Sequence, residues 1–164
     1  PIFDADTMYP PHYFDTHVRN LMKPGVACTF SLWSFIPDKR HSRLGLWLYE
    51  CLRDLHLSIQ AIKRPELCVR GMTFGFNTEL GRLFGFRTDI RRGEDGSLAL
   101  AMKPYGRLIF ITSRKARALT SNSTIDADGS LARSFGVRLL KALKGATGLL
   151  YKKTTYKDKD SNLL

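Results

Sequence analysis

Four histidines and three cysteines are the side chains of this chain best suited to holding a metal ion or attacking a substrate, and their spacing favours neither role. His12, His17, His41 and His56 have no Cys or His partner at chelating spacing, which argues against zinc. Cys51 and His56 lie five residues apart on a predicted helix, so they point to different sides and make a poor nucleophile and base pair. Asp126-Ala127-Asp128-Gly129 begins like a calcium loop, but no Glu stands at the twelfth place, and the segment reads better as a helix-capping turn. Gly75, Gly81 and Gly85 match neither the dinucleotide nor the P-loop spacing and are expected at bulges or tight turns. The expectation is a protein that is not an enzyme and carries no metal or cofactor.

Recognition chemistry is better represented. Pro10-Pro11-His12-Tyr13 is a PPxY element, and its two prolines fix φ near the polyproline II value and remove two backbone donors. Such a segment can enter an aromatic groove at low entropic cost, as in WW domains. Followed by Phe14 and set on an acidic stretch with Asp4, Asp6 and Asp15, it also suits docking onto a basic neighbouring copy, the role preferred for it here. Lys and Arg number 26 against 15 Asp and Glu, a formal charge of +11, which implies a polyanionic partner. The cations gather at Lys39, Arg40 and Arg43, at Arg87, Arg91 and Arg92, at Arg114, Lys115 and Arg117, and at Lys141, Lys144, Lys152, Lys153 and Lys157. Phe74, Phe76, Phe84 and Phe86 lack the basic and aromatic spacing of a single-strand RNA motif and are expected in the core, so any RNA contact would run through phosphates.

These groups need elements to position them. At 164 residues, 43% hydrophobic, the chain suits one domain. No apolar run approaches the roughly 18 residues of a membrane span, the N-terminus lacks the pattern of a signal peptide, and three scattered cysteines in apolar segments suggest buried thiols in a reducing compartment. Residues 1–25, broken by prolines, predict an extended N-terminal arm, and residues 26–164 a globular domain. Alternation predicts a strand from Val26 to Ile36, and Pro37-Asp38-Lys39-Arg40 a turn. Ser42 caps a predicted helix from Arg43 to His56, whose Leu44, Leu48, Cys51, Leu52 and Leu55 form the expected inward stripe, with Trp47 as a second core contact. Strands are expected over 58–63, 67–76, 83–91, 98–103 and 107–113, the last three as an antiparallel meander. A mobile loop over 115–129, a helix over 130–144 with Leu131, Phe135, Leu139, Leu140 and Leu143 inward, and a strand over 149–156 complete the pattern. The predicted class is α+β, a single domain with a mostly antiparallel sheet packed with two main helices.

The order of a PPxY element, an amphiphilic strand from Val26, the basic turn Lys39-Arg40, the helix from Arg43, and strands from Leu57 and Leu67 around Arg64-Pro65 resembles the matrix proteins of rhabdoviruses. The short acidic arm is more similar to plant-infecting members than to animal ones with a longer lysine-rich arm. The resemblance implies a structural protein of the virion that self-associates through its arm and condenses the nucleoprotein–RNA helix against the anionic membrane. It would act beneath the envelope and at inner membrane surfaces of the host cytoplasm, with the nucleus a further site. A viral RNA-binding regulator, such as a silencing suppressor, and a cellular PPxY adaptor are the alternatives.

Overall fold

The computed structural model describes residues 1–90 and 93–122, together with Arg133 and Gly136. The helix expected over 130–144, the strand over 149–156, and Arg91, Arg92, Lys141, Lys144, Lys152, Lys153 and Lys157 therefore lie outside the described residues, apart from Arg133 and Gly136. Helix α1 spans Tyr13–Leu21, strand β1 Val26–Ser31, β2 Trp33–Phe35, helix α2 Arg43–Lys63, strand β3 Phe74–Phe76, helix α3 Thr78–Phe84, helix α4 Glu94–Met102, strand β4 Arg107–Ile111 and strand β5 Ala118–Thr120. The class is α+β, in a single domain.

β1 is the centre of the fold because both its faces are buried: all six residues are buried, including Thr29 and Ser31. It pairs antiparallel with β3, setting Phe30 opposite Phe74, and parallel with β4, where Phe30 stacks on Phe110 at 5.1 Å. β2 runs parallel to β5, with Trp33 opposite Ala118 and Phe35 opposite Thr120. The three-stranded sheet β3–β1–β4 thus carries both senses of pairing, and β2 and β5 form a separate two-stranded ribbon. Tyr13, Cys28, Phe30, Cys68, Phe74, Leu98 and Met102 belong to one continuous core.

Several predicted strands are helices instead. Residues 58–63 continue α2, with Ser58 Oγ donating back to the Asp54 carbonyl at 2.7 Å and Arg64-Pro65 ending the run. Here Ile59 and Ile62 extend the leucine spacing of the preceding turns, so helical periodicity overrides their β preference. Residues 98–103 fall in α4 and the turn after it, since Leu, Ala and Met are strong helix formers and Glu94 and Asp95 sit at the positive end of the helix. Among the described residues 83–90 no strand forms, and Leu83 and Phe84 belong to α3, which Asn77 starts by accepting at Oδ1 from the amides of Glu79 and Leu80 at 2.9 and 3.1 Å. No meander forms, although β4 stands where a strand was expected. Residues 67–76 contain only β3, preceded by two short 3-10 turns. The expected loop from 115 carries β5.

Residues 1–25 are not an extended arm. The Ile2 amide donates to the Phe74 carbonyl at 2.7 Å, Met8 forms a bridge with Leu119, and α1 lies on β1. The helix forms because Pro10 and Pro11 stand just before its first turn, where a missing N–H costs nothing, and the Tyr13 amide closes onto the Pro10 carbonyl at 2.9 Å.

Candidate functional site

The PPxY element is turned into the protein. Pro11, His12 and Phe14 are exposed, but Tyr13 is only 1% exposed. Its ring packs between Tyr9, at 4.6 Å between centroids, and His17, at 4.5 Å, and its hydroxyl donates to the Met72 carbonyl at 3.3 Å. Presenting Tyr13 to a WW domain or to a neighbouring copy would require withdrawing it from the core, so the docking role expected for Pro10, Pro11, His12, Tyr13 and Phe14 does not fit this fold. Beneath it, buried His17 bonds Thr29 Oγ1 at 2.8 Å and Ser31 Oγ at 3.4 Å, and Ser31 donates on to the Ala116 carbonyl at 2.6 Å. Burial lowers the His17 pKa to about 4, which keeps the imidazole neutral near pH 7.

The basic residues divide sharply. Lys39 and Arg40 are exposed on the turn between β2 and α2, and Arg43 is exposed at the first position of α2. Asp38 holds that turn, accepting from the amides of Arg40 and His41 at 3.0 and 2.8 Å, from His41 Nδ1 at 3.0 Å and from Asn122 Nδ2 at 2.9 Å. The hydrogen bond from His41, with these others, holds the Asp38 pKa down to about 2. A carboxylate engaged inward leaves Lys39 and Arg40 to face solvent. Arg114 and Lys115 are also exposed, on the 3-10 turn before β5. Because β2 and β5 are parallel, that turn enters at one end of the ribbon while the 38–43 turn leaves at the other.

Two other predicted cations are engaged within the protein. Arg87 is paired with Asp89, two residues on. Arg117 points inward, bonded to Asp54, to Ser34 Oγ at 3.0 Å and within 3.6 Å of Glu50. It serves the packing of α2 rather than a polyanion. A shallow groove beside Ile62 is lined by Lys103 and Arg107, but Lys103 is bound to buried Glu66 at 2.9 Å and Arg107 to the Pro24 carbonyl at 3.1 Å. Among the described residues no group of three His, Cys, Asp or Glu side chains is placed to hold a metal ion.

Helix α2 is inverted relative to the sequence reading. Leu46, Tyr49 and Leu57 are its buried residues, and Arg53 lies inward over the Trp33 ring, 4.4 Å from its centroid. Glu50 accepts from the Phe35 amide at 2.7 Å and from Ser34 Oγ at 2.9 Å, so it satisfies β2. The predicted inward stripe faces out: Leu44 is 65% exposed, Trp47 59% and Leu55 59%, with Leu48, Cys51, Leu52, Ile59 and Ile62 exposed beside them. Every exposed position between Leu44 and Ile62 is apolar. Burying one such large side chain is worth about 1.5–3 kcal/mol, so this face is a strong candidate for contact with something else. Its residues were legible in the sequence, but their direction was not, because the ionic partners of the opposite face come from β2 and from Arg117, far along the chain.

Searches against protein-family models, curated proteins and solved structures find no match to this chain.

Proposed function

We propose that this protein is a matrix-type structural protein, without a catalytic role, that attaches to two polyanions: a nucleoprotein–RNA assembly and an anionic membrane surface. The observation that carries this reading is the display of Lys39 and Arg40 on a turn held by Asp38 and of Arg43 at the start of α2, all three exposed and without an ion pair among the described residues. Arg114 and Lys115 at the opposite end of the β2–β5 ribbon supply a second cationic group, as bridging two polyanions requires. The strand, basic turn and helix over residues 26–63 are the part of the rhabdovirus matrix resemblance that remains in this fold, and they suggest which polyanions these are. Attachment through the arm has no part in the proposal, since Tyr13 is buried. Contacts of this kind recognise phosphate charge rather than base sequence.

The test is binding of the full chain to single-stranded RNA and to phosphatidylserine vesicles, each at two salt concentrations. Each cation near an anionic leaflet contributes about 1 kcal/mol, so Lys39→Ala with Arg40→Ala should weaken vesicle binding about thirtyfold at low salt. RNA binding should fall steeply with salt. A chain that binds neither polyanion at low salt, or a double variant that binds vesicles as tightly as the wild type, would refute the proposal.

A further inference from the structure

The outward face of α2 has a symmetry that its burial pattern makes visible. Leu44, Trp47, Cys51, Leu55, Ile59 and Ile62 are spaced by three, four, four, four and three residues, a pattern that reads the same in both directions about Arg53. At 100° per residue these six, with Leu48 and Leu52, cover an arc of about 140° on the side opposite Arg53, along about 27 Å of helix. Arg53 itself lies inward over Trp33 and Phe35, which fixes the seam as the solvent side. The only exposed charges of the helix, Arg43 and Lys63, stand at its two ends.

We infer that this face is a twofold interface with a second copy of the same chain, the two α2 helices packing antiparallel about an axis at Arg53. A twofold interface must match itself, residue i meeting residue j and j meeting i. Antiparallel pairing does this here, setting Leu44 against Ile62, Trp47 against Ile59 and Cys51 against Leu55 of the second copy, so that apolar groups meet along the whole seam. A lipid surface would not require a palindrome, and interfacial helices usually carry Lys or Arg along the borders of the apolar face. In α2 the one cation near the middle, Arg53, is turned away from the seam. The same pairing brings Arg43 near Lys63 of the second copy at both ends, between two molecules that each carry +11. Association should therefore strengthen as salt rises, opposite to polyanion binding, so this inference and the proposed function can fail separately.

The experiment is sedimentation equilibrium of the full chain over a range of concentrations at low and high salt. The expected species is a dimer of twice the chain mass, tighter at high salt. Leu55→Glu places a carboxylate at the centre of the seam and should give a monomer, while Leu83→Glu, equally exposed but on α3, should remain dimeric. Because both sites are exposed, urea unfolding of the two variants should match the wild-type monomer baseline and exclude loss of folding. In Leu55→Cys the new thiol faces Cys51 of the second copy, and oxidation by diamide should join two chains covalently. A wild-type chain that stays monomeric up to about 100 μM, well above the micromolar range expected of a stable interface, overturns the inference. A Leu55→Glu variant that stays dimeric overturns it too, as does a monomeric wild type whose vesicle binding is lost in Leu55→Glu, which would give the face to lipid.

Discussion

Lowering the pH from 7 to 5 should destabilise this protein through one side chain, His17. The residue is fully buried in α1, against Tyr13 and the hydroxyls of Thr29 and Ser31, and burial lowers its pKa from 6.5 to about 4. The unfolded chain takes up a proton near pH 6.5 that the folded chain refuses until about pH 4. Acid therefore favours the unfolded state throughout that window, and the contribution of neutral His17 is complete above it. By linkage the loss amounts to about 2 kcal/mol at pH 5 and about 3 kcal/mol by pH 4.

Asp95 opposes this. Burial raises its pKa from 3.8 to about 6, with Glu94 adding to the shift, so the folded chain holds a proton that the unfolded chain gives up. Between pH 7 and 5 the folded state regains about 1 kcal/mol from this group. The wild type should thus lose only about a third of what His17 alone would cost. Urea unfolding at pH 7 and pH 5 separates the two. Asp95→Asn should show the His17 loss of about 2 kcal/mol undiluted, and His17→Gln should make the protein slightly more stable at pH 5 than at pH 7. An Asp95→Asn variant equally stable at both pH values would refute the reasoning. So would a His17→Gln variant that keeps the wild-type pH dependence.

Tyr13→Ala should cost about 3–5 kcal/mol in urea unfolding, as for a large aromatic removed from a core, whereas Tyr13→Phe, which loses only the long bond to Met72, should cost about 1 kcal/mol. A folded, fully stable Tyr13→Ala chain would return the PPxY element to a docking role. Asp54→Ala should cost about 3–5 kcal/mol, because Arg53 and Arg117 would lose the carboxylate they share, while leaving RNA binding of the folded fraction unchanged; measured RNA affinity and urea midpoints check both parts.

Local chemistry in the sequence located the centre of this fold well. The strand at Val26, the turn at Asp38 and the Ser42 cap depend on short-range patterns, and all three are present. What was illegible depended on contacts distant in sequence. The PPxY prolines could begin an extended arm or a helix, and the choice fell to Tyr13, whose pocket is built by Tyr9, His17 and the chain near Met72. Residues 98–102 alternate Leu and Ala in a way that fits a strand, yet a helix buried on nearly all sides leaves no helical stripe to read. Among the cations, Lys39 and Arg40 have no carboxylate partner among the described residues, because Asp38 is occupied by the turn itself, whereas Arg117 is engaged by carboxylates more than sixty residues before it.

The orientation of α2 follows from the same long-range chemistry, and it links the fold to the interface. Turning the helix by half a revolution would bury Leu44, Leu55 and Ile62, but it would take Glu50 from the Phe35 amide and Arg53 from Trp33, and leave Arg117 without Asp54. Unpaired groups of that kind cost about 1–3 kcal/mol each, and more when charged, which is comparable to the gain from each leucine covered. Pairing with a second copy removes the conflict: the ionic face keeps its bonds to β2 and Arg117, and the apolar face is covered from outside. On this account the carboxylates of α2 do not serve mainly to tie the helix down. They determine which face is left to meet another molecule, and replacing them with apolar residues would free the helix to turn its leucines inward.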